Sequence, residues 1–234
     1  MTLIKINSNK PFEIKNQTNK EADIVLYGSI GESFWDDSIS AKEFHQALKE
    51  LPSTVETLNV RINSPGGDVF DGITIYNRLK QHKAKKVVYI DGMAASIASI
   101  IAMAGDEVII GEGAQVMIHK PWTMAMGNSL ELDSIINRLD DIEEQMLSIY
   151  SKRTGLDRSE LRSMLAKETW LLSEEAIDLG FADKTMDEDF AIAASWNVED
   201  ARWFKSKPKS MQQTKYVKNK LEELRKNIEG FIAR

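Results

Sequence analysis

A chain of 234 residues with 42% hydrophobic and 28% charged residues has the composition of a globular protein with one domain of ordinary size. It contains no cysteine, which excludes disulfide staples, thiolate nucleophiles and cysteine-ligated metals. No apolar run approaches the ~18 residues needed to cross a bilayer, and the first 23 residues lack the apolar core of a secretion signal. The expectation is a soluble, non-secreted protein with no membrane partner.

The net charge of -6 divides unevenly, into -13 for residues 1–200 and +7 for residues 201–234. An acidic body therefore carries a basic tail, which suits an acidic partner or plain solvation better than a role in binding nucleic acid.

Short β-type runs recur at Asp23–Tyr27, Leu58–Ile62, Lys86–Ile90, Glu107–Ile110 and Gln115–Ile118, each ending near Gly, Asn or Asp. Between the early runs lie two helix-like stretches. One spans Ser40 to Leu51, with Ser40 as N-cap and Glu43 in capping-box spacing; the other spans Phe70 to His82, with Ile73, Tyr76 and Leu79 on one face. The alternation predicts an α/β layered domain with a largely parallel sheet and a site at the strand C-termini.

A long helix follows from Asn128 to Lys152, capped by Asn128 and Glu131, with Leu132, Ile135, Leu139, Ile142, Met146 and Ile149 spaced alternately by three and four. That stripe suits either a partner helix or the domain's own core. Shorter helices are expected at Ser159–Lys167 and Ser173–Leu179, the latter stopped by Gly180. The body ends near Trp196. A linker at Lys205–Ser210 then leads to an amphipathic helix carrying Val217, Leu221, Leu224, Ile228 and Phe231.

Three segments could carry chemistry. In Ile90–Ser99 a strand runs through Gly92, Ala94 and Ala95 into an apolar helix, and a serine at that junction, Ser96, would project from the helix start where free amides favour negative charge. In Ile62–Val69 a strand meets a Pro-Gly-Gly turn whose glycines free a backbone N–H to point into a site. In Val116–Pro121 a strand delivers His119 at its C-terminal end. Of the three histidines in the chain, His45 and His82 fall on polar helical surface, which leaves His119 as the general-base candidate. Ser64 and Ser99 are the competing hydroxyls, Ser64 in the turn and Ser99 nearly a turn into the helix.

Together the Ile62–Gly67 turn, the Gly-Met-Ala-Ala-Ser run ending at Ser96 and the Met117–His119 strand end resemble the Clp protease proteolytic-subunit (ClpP) family. They stand in the family's order, with Gly67 preceding Ser96 by 29 residues and Ser96 preceding His119 by 23. The likeness runs from about Asp23 to Asp183. It implies a ClpP/crotonase-like layered α/β fold of repeated β-β-α units with a protruding handle helix near 128–152, followed here by the C-terminal helical tail from 201 to 234. It also implies a serine endopeptidase that needs no cofactor or metal. Ser96 would be the nucleophile, His119 the general base, and the N–H groups of Gly67 and Ile97 the oxyanion hole.

The family's third member is an aspartate two residues before an aromatic, and the matching position here is Glu168, ahead of Trp170. Glutamate can hold a histidine tautomer, but its extra methylene needs a backbone set further back. Asp157 and Asp183 are the rival acids.

Ile97–Ala98 after the serine, Glu168 and the long basic tail depart from the housekeeping members, and the Ile24–Ile30 entry, Trp35 and the Glu168–Thr169–Trp170 stretch are more similar to the ClpP-related head maturation (prohead) proteases of tailed bacteriophages. That resemblance implies an ATP-independent enzyme cutting capsid or scaffold protein in the host cytoplasm or assembling prohead. It implies a homo-oligomer, a ring by analogy, joined through the handle. Two other readings stand beside it: a cellular ClpP paralogue served by an AAA+ unfoldase, and a proteolytically silent assembly module on the same fold.

Overall fold

The computed structural model describes residues 12–15, 18, 20–31 and 38–186. The linker, the amphipathic tail helix and Trp35 lie outside these residues.

In chain order the strands and helices are β1 (Phe12–Lys15), β2 (Glu21–Tyr27), β3 (Ser29–Ile30), β4 (Ser38–Ile39), α1 (Ala41–Glu50), β5 (Thr57–Ser64), α2 (Val69–Gln81), β6 (Lys85–Ala95) and α3 (Ile97–Ala102). They continue with β7 (Glu107–Ile110), β8 (Gln115–Ile118), α4 (Ser129–Thr154), α5 (Arg158–Lys167), β9 (Thr169–Leu172), α6 (Ser173–Asp178) and β10 (Lys184–Thr185). The main sheet runs β1-β2-β5-β6-β7-β10, with β8 pairing both β6 and β9. All neighbours are parallel except β1 with β2 and β8 with β9.

The two-residue period of each strand sorts its side chains by face. Ala22, Ile24 and Leu26 of β2, Leu58, Val60 and Ile62 of β5, and Val88 and Ile90 of β6 are buried in one apolar cluster with Phe44 of α1, Ile75 and Leu79 of α2, and Ile97, Ile100 and Ile101 of α3. Full burial of such a side chain contributes roughly 1.5–3 kcal/mol. The other face carries polar groups. Asn59 donates to Asp23 at 2.8 Å, and Arg61 makes a two-pronged ion pair with Asp91 while lying 5.1 Å above the Tyr89 ring. Tyr27 donates its hydroxyl to Asp91 at 2.6 Å.

Asp91 sits where β6 changes partner. Up to Ile90 the strand pairs with β7, and from Met93 it pairs with β8. Against β5 the register jumps from Ile62–Ile90 to Ser64–Ala94, so Asp91, Gly92 and Met93 bulge opposite Asn63 alone. The expected strand end at Ile90 was therefore short by five residues: the small residues Gly92, Ala94 and Ala95 lengthen β6 instead of closing it. Strands β1, β3, β4, β9 and β10 have no counterpart in the sequence expectations.

Helix ends follow the capping signals. Ser40 accepts from Glu43 N–H, Asp68 from Asp71 N–H, and Asn128 forms a full capping box with Glu131. The α4 stripe serves more than one purpose along its length. Ile142 and Met146 are buried in the domain, whereas Leu132 at the other end of the stripe is exposed, as are its neighbours Leu130 and Ile136.

Candidate active site

Ser96 lies at the junction of β6 and α3, with φ 53 and ψ -127. A non-glycine residue there carries strain of about 1–3 kcal/mol and persists only if its surroundings fix it. They do so from three sides. Ser96 N–H donates to Met117 C=O at 2.9 Å, tying the junction to β8. Ser96 C=O accepts from Ser99 N–H at 3.0 Å and from the Ser99 hydroxyl at 2.5 Å. The third side is Gly66, where an added Cβ would stand 2.7 Å from Ser96 Cβ.

His119 follows β8, the strand that β6 joins after its bulge. Its Nε2 lies 2.7 Å from Ser96 Oγ, and both residues are half-buried. The backbone beyond His119 is pinned, since Lys120 N–H donates to Leu165 C=O at 3.1 Å and Lys120 Nζ pairs with buried Glu143 at 2.8 Å. Arg162 pairs with the other Glu143 oxygen at 2.7 Å.

Glu168 is the C-cap of α5, buried, with φ 52, a left-handed turn that leads straight into β9. In the antiparallel ladder of β8 and β9, Ile118 opposes Thr169. His119 and Glu168 are thus the chain neighbours of two ladder partners. Trp170 Nε1–H donates to Glu168 Oε1 at 3.4 Å. The rival acids are engaged elsewhere: Asp157 caps α5 through Ser159 N–H at 2.7 Å, and Asp183 accepts from Val108 N–H and Arg153, each at 2.6 Å.

The Pro-Gly-Gly turn arrives beside the serine. Gly67 has φ 148, and a Cβ there would fall 2.0 Å from Ile30 C=O, because the turn bridges to β3. Among the described residues neither the Gly67 nor the Ile97 N–H has an acceptor. Of the competing hydroxyls, Ser64 is buried and accepts from Gly66 N–H at 3.2 Å, and Ser99 is bound to Ser96 C=O. His82 is not simple helical surface: its Nδ1 accepts from Ala84 N–H at 3.2 Å, and burial followed by the nearby Lys86 charge holds its pKa below the usual histidine value.

A groove of about 540 Å³ opens at Gly67. Phe70, Trp122, Met124, Ile135 and Leu139 make it largely apolar, and Asp68 and Arg138 also line it. The sequence reading gave no role to the segment that supplies Trp122 and Met124, nor to Tyr150. The available signal for Tyr150 was its place on the buried stripe of α4, four residues after Met146, where a hydroxyl needs a partner.

A hydroxyl and an imidazole in proton-transfer contact, at the carboxyl ends of neighbouring parallel strands, put the chain among the serine hydrolases. A model of the Clp protease family matches residues 6–189, and the chain belongs to that family as a serine-type endopeptidase. Among solved structures, that of a ClpP1 mutant from Listeria monocytogenes is similar in fold, with a TM-score of 0.62 at 22% identity over 73% of this chain and 94% of the other.

Proposed function

We propose that this chain is a head maturation protease of the tailed-bacteriophage type, cutting capsid or scaffold protein without ATP. The observation that carries the catalytic part is the 2.7 Å contact of Ser96 Oγ with His119 Nε2. His119 takes the Ser96 proton as Ser96 attacks the peptide carbonyl, and then returns it to the leaving amine. Water, activated by the same imidazole, releases the acyl-enzyme. The N–H groups of Gly67 and Ile97 hold the oxyanion, a contribution of about 2.7–4 kcal/mol per donor. Glu168 holds the histidine tautomer, a role supported by its position next to Thr169, the ladder partner of the residue before His119.

The groove beside Gly67 suits a substrate with an apolar side chain near the scissile bond. The exposed Leu130, Leu132 and Ile136 of α4 suit a contact between copies, in keeping with the ring-forming habit of the family. The phage assignment rests on the resemblance carried by Ile24–Ile30, Trp35 and Glu168–Thr169–Trp170. The family match favours equally a cellular paralogue fed by an AAA+ unfoldase. Co-expression with a phage capsid precursor separates the two: precursor cleavage that persists without ATP supports the phage reading, and degradation that requires an unfoldase overturns it.

A further inference from the structure

We infer that Ser99 and Tyr150 are positioning residues that hold the Ser96–Ile97 peptide plane and so aim the Ile97 N–H at the oxyanion. The inference rests on the proposed role of Ser96 and of the Ile97 amide.

Ser96 C=O and Ile97 N–H belong to one planar trans peptide group and point in opposite directions. Whatever fixes the carbonyl therefore fixes the amide. The carbonyl is held twice by Ser99, through its N–H at 3.0 Å and its hydroxyl at 2.5 Å. A hydroxyl has one proton to donate, and Ser99 spends it on Ser96 C=O. The 2.7 Å contact between Ser99 Oγ and Tyr150 Oη must then run from the phenol to the serine. Tyr150 is fully buried, which disfavours its ionised form and keeps it a donor. The direction of donation is thus settled along the whole chain: Tyr150 to Ser99 to Ser96 C=O. Donation to a peptide carbonyl also polarises the amide on its other side, which strengthens Ile97 N–H as a donor.

Packing alone does not call for these hydroxyls. Ser99 is buried in α3 among Ala98, Ile100 and Ile101, where alanine would fit, and the Tyr150 ring packs 5.6 Å from that of Phe181, a contact that phenylalanine would keep. What the hydroxyls add is a brace for a peptide group in a strained conformation.

The test is the rate at which a fluorophosphonate probe labels the full-length chain, resolved into a maximal rate and a half-saturating concentration. It compares wild type with Ser99→Ala, Tyr150→Phe and the double variant, with Tm measured for each. Ser99→Ala orphans the buried phenol and lowers Tm, whereas the double variant removes both partners and recovers much of it. The expected result is a maximal rate about 10-fold lower in Ser99→Ala and in the double variant, a fraction of the ~10²–10³ that losing an oxyanion donor costs. The half-saturating concentration and the pH midpoint of labelling stay at wild-type values. A double variant that labels at the wild-type rate overturns the inference, as does a rate that recovers together with Tm. Ser96→Ala separates the two levels: if it still reacts, the proposed nucleophile falls and the inference with it. If Ser96→Ala is inert while the double variant labels at full rate, only the brace is lost.

Discussion

Glu168 depends most on the backbone that presents it. A glutamate reaches further than an aspartate, and this one is carried on a left-handed turn at φ 52 immediately before β9. Glu168→Gln keeps the shape and removes the charge that would stabilise an imidazolium. The expected effect on peptide hydrolysis is a loss in kcat of roughly 10³–10⁴-fold with KM nearly unchanged. A kcat within a few-fold of wild type would remove Glu168 from the proposed mechanism. The Arg61–Asp91 pair gives a stability prediction. Both side chains are almost wholly buried, and burial pushes the Asp91 carboxyl up against the opposing pull of Arg61 and Tyr27. Arg61→Met strands that carboxylate and should cost about 3–5 kcal/mol in urea unfolding, whereas Arg61→Met with Asp91→Leu should cost much less. Equal losses would mean that the pair contributes net attraction, not compensation for burial.

Among the elements, the bulge in β6 and the turn at Gly66–Gly67 set the site, and they differ in how well sequence reveals them. The strand-end His119 and the serine at the strand-to-helix junction were readable because strand, turn and helix signals are local. The run from Gly92 to Ala95 was not readable as strand, since small residues lack the β-branched signature and are held there by pairing with β5 and β8. Strand β9 was missed for a similar reason: Thr169–Leu172 is four residues long and owes its strand form to β8. The second face of the sheet was also hidden, because Arg61 and Asp91 are 30 residues apart and meet only through the parallel register of β5 and β6. The turn carries a clear prediction. Gly67→Ala forces a Cβ onto Ile30 C=O, so the turn must leave β3 and the Gly67 N–H must swing out of place. Fluorophosphonate labelling should fall by ~10² or more, and wild-type labelling would show that this amide is not a donor.

At the scale of the whole molecule, charge links the far edge of the sheet. Glu107 on β7 binds Lys85 of β6 at 2.9 Å and Lys184 of β10 at 2.7 Å. These hydrogen bonds, to Lys184 first and Lys85 second, hold its pKa down from 4.5 to about 2. A depressed carboxylate stabilises the fold above its unfolded pKa and loses that contribution as pH falls through the folded one. The edge should therefore weaken between about pH 4.5 and 2, and Glu107→Gln should flatten that part of a stability-against-pH curve. Because the side chain is solvent-facing, the step is small and shrinks with added salt. An unchanged curve in the variant would assign the acid transition to other groups.

The pairing of β8 with β9 also decides which lengths of chain are tolerated. Ile118 and Thr169 are ladder partners, so the 50 residues between them leave and return at the same place. Shortening or lengthening the exposed stretch at 123–127 leaves both ends of that excursion where they are, since closure free energy changes only with the logarithm of loop length. Removing a single residue inside Gln115–Ile118 or Thr169–Leu172 instead turns every later side chain of that strand to the opposite face. A deletion scan read by folding should thus show one tolerant stretch inside the excursion, ahead of the α4 cap, and intolerance in the two paired strands, so that length can drift at that loop and is fixed where the strands meet.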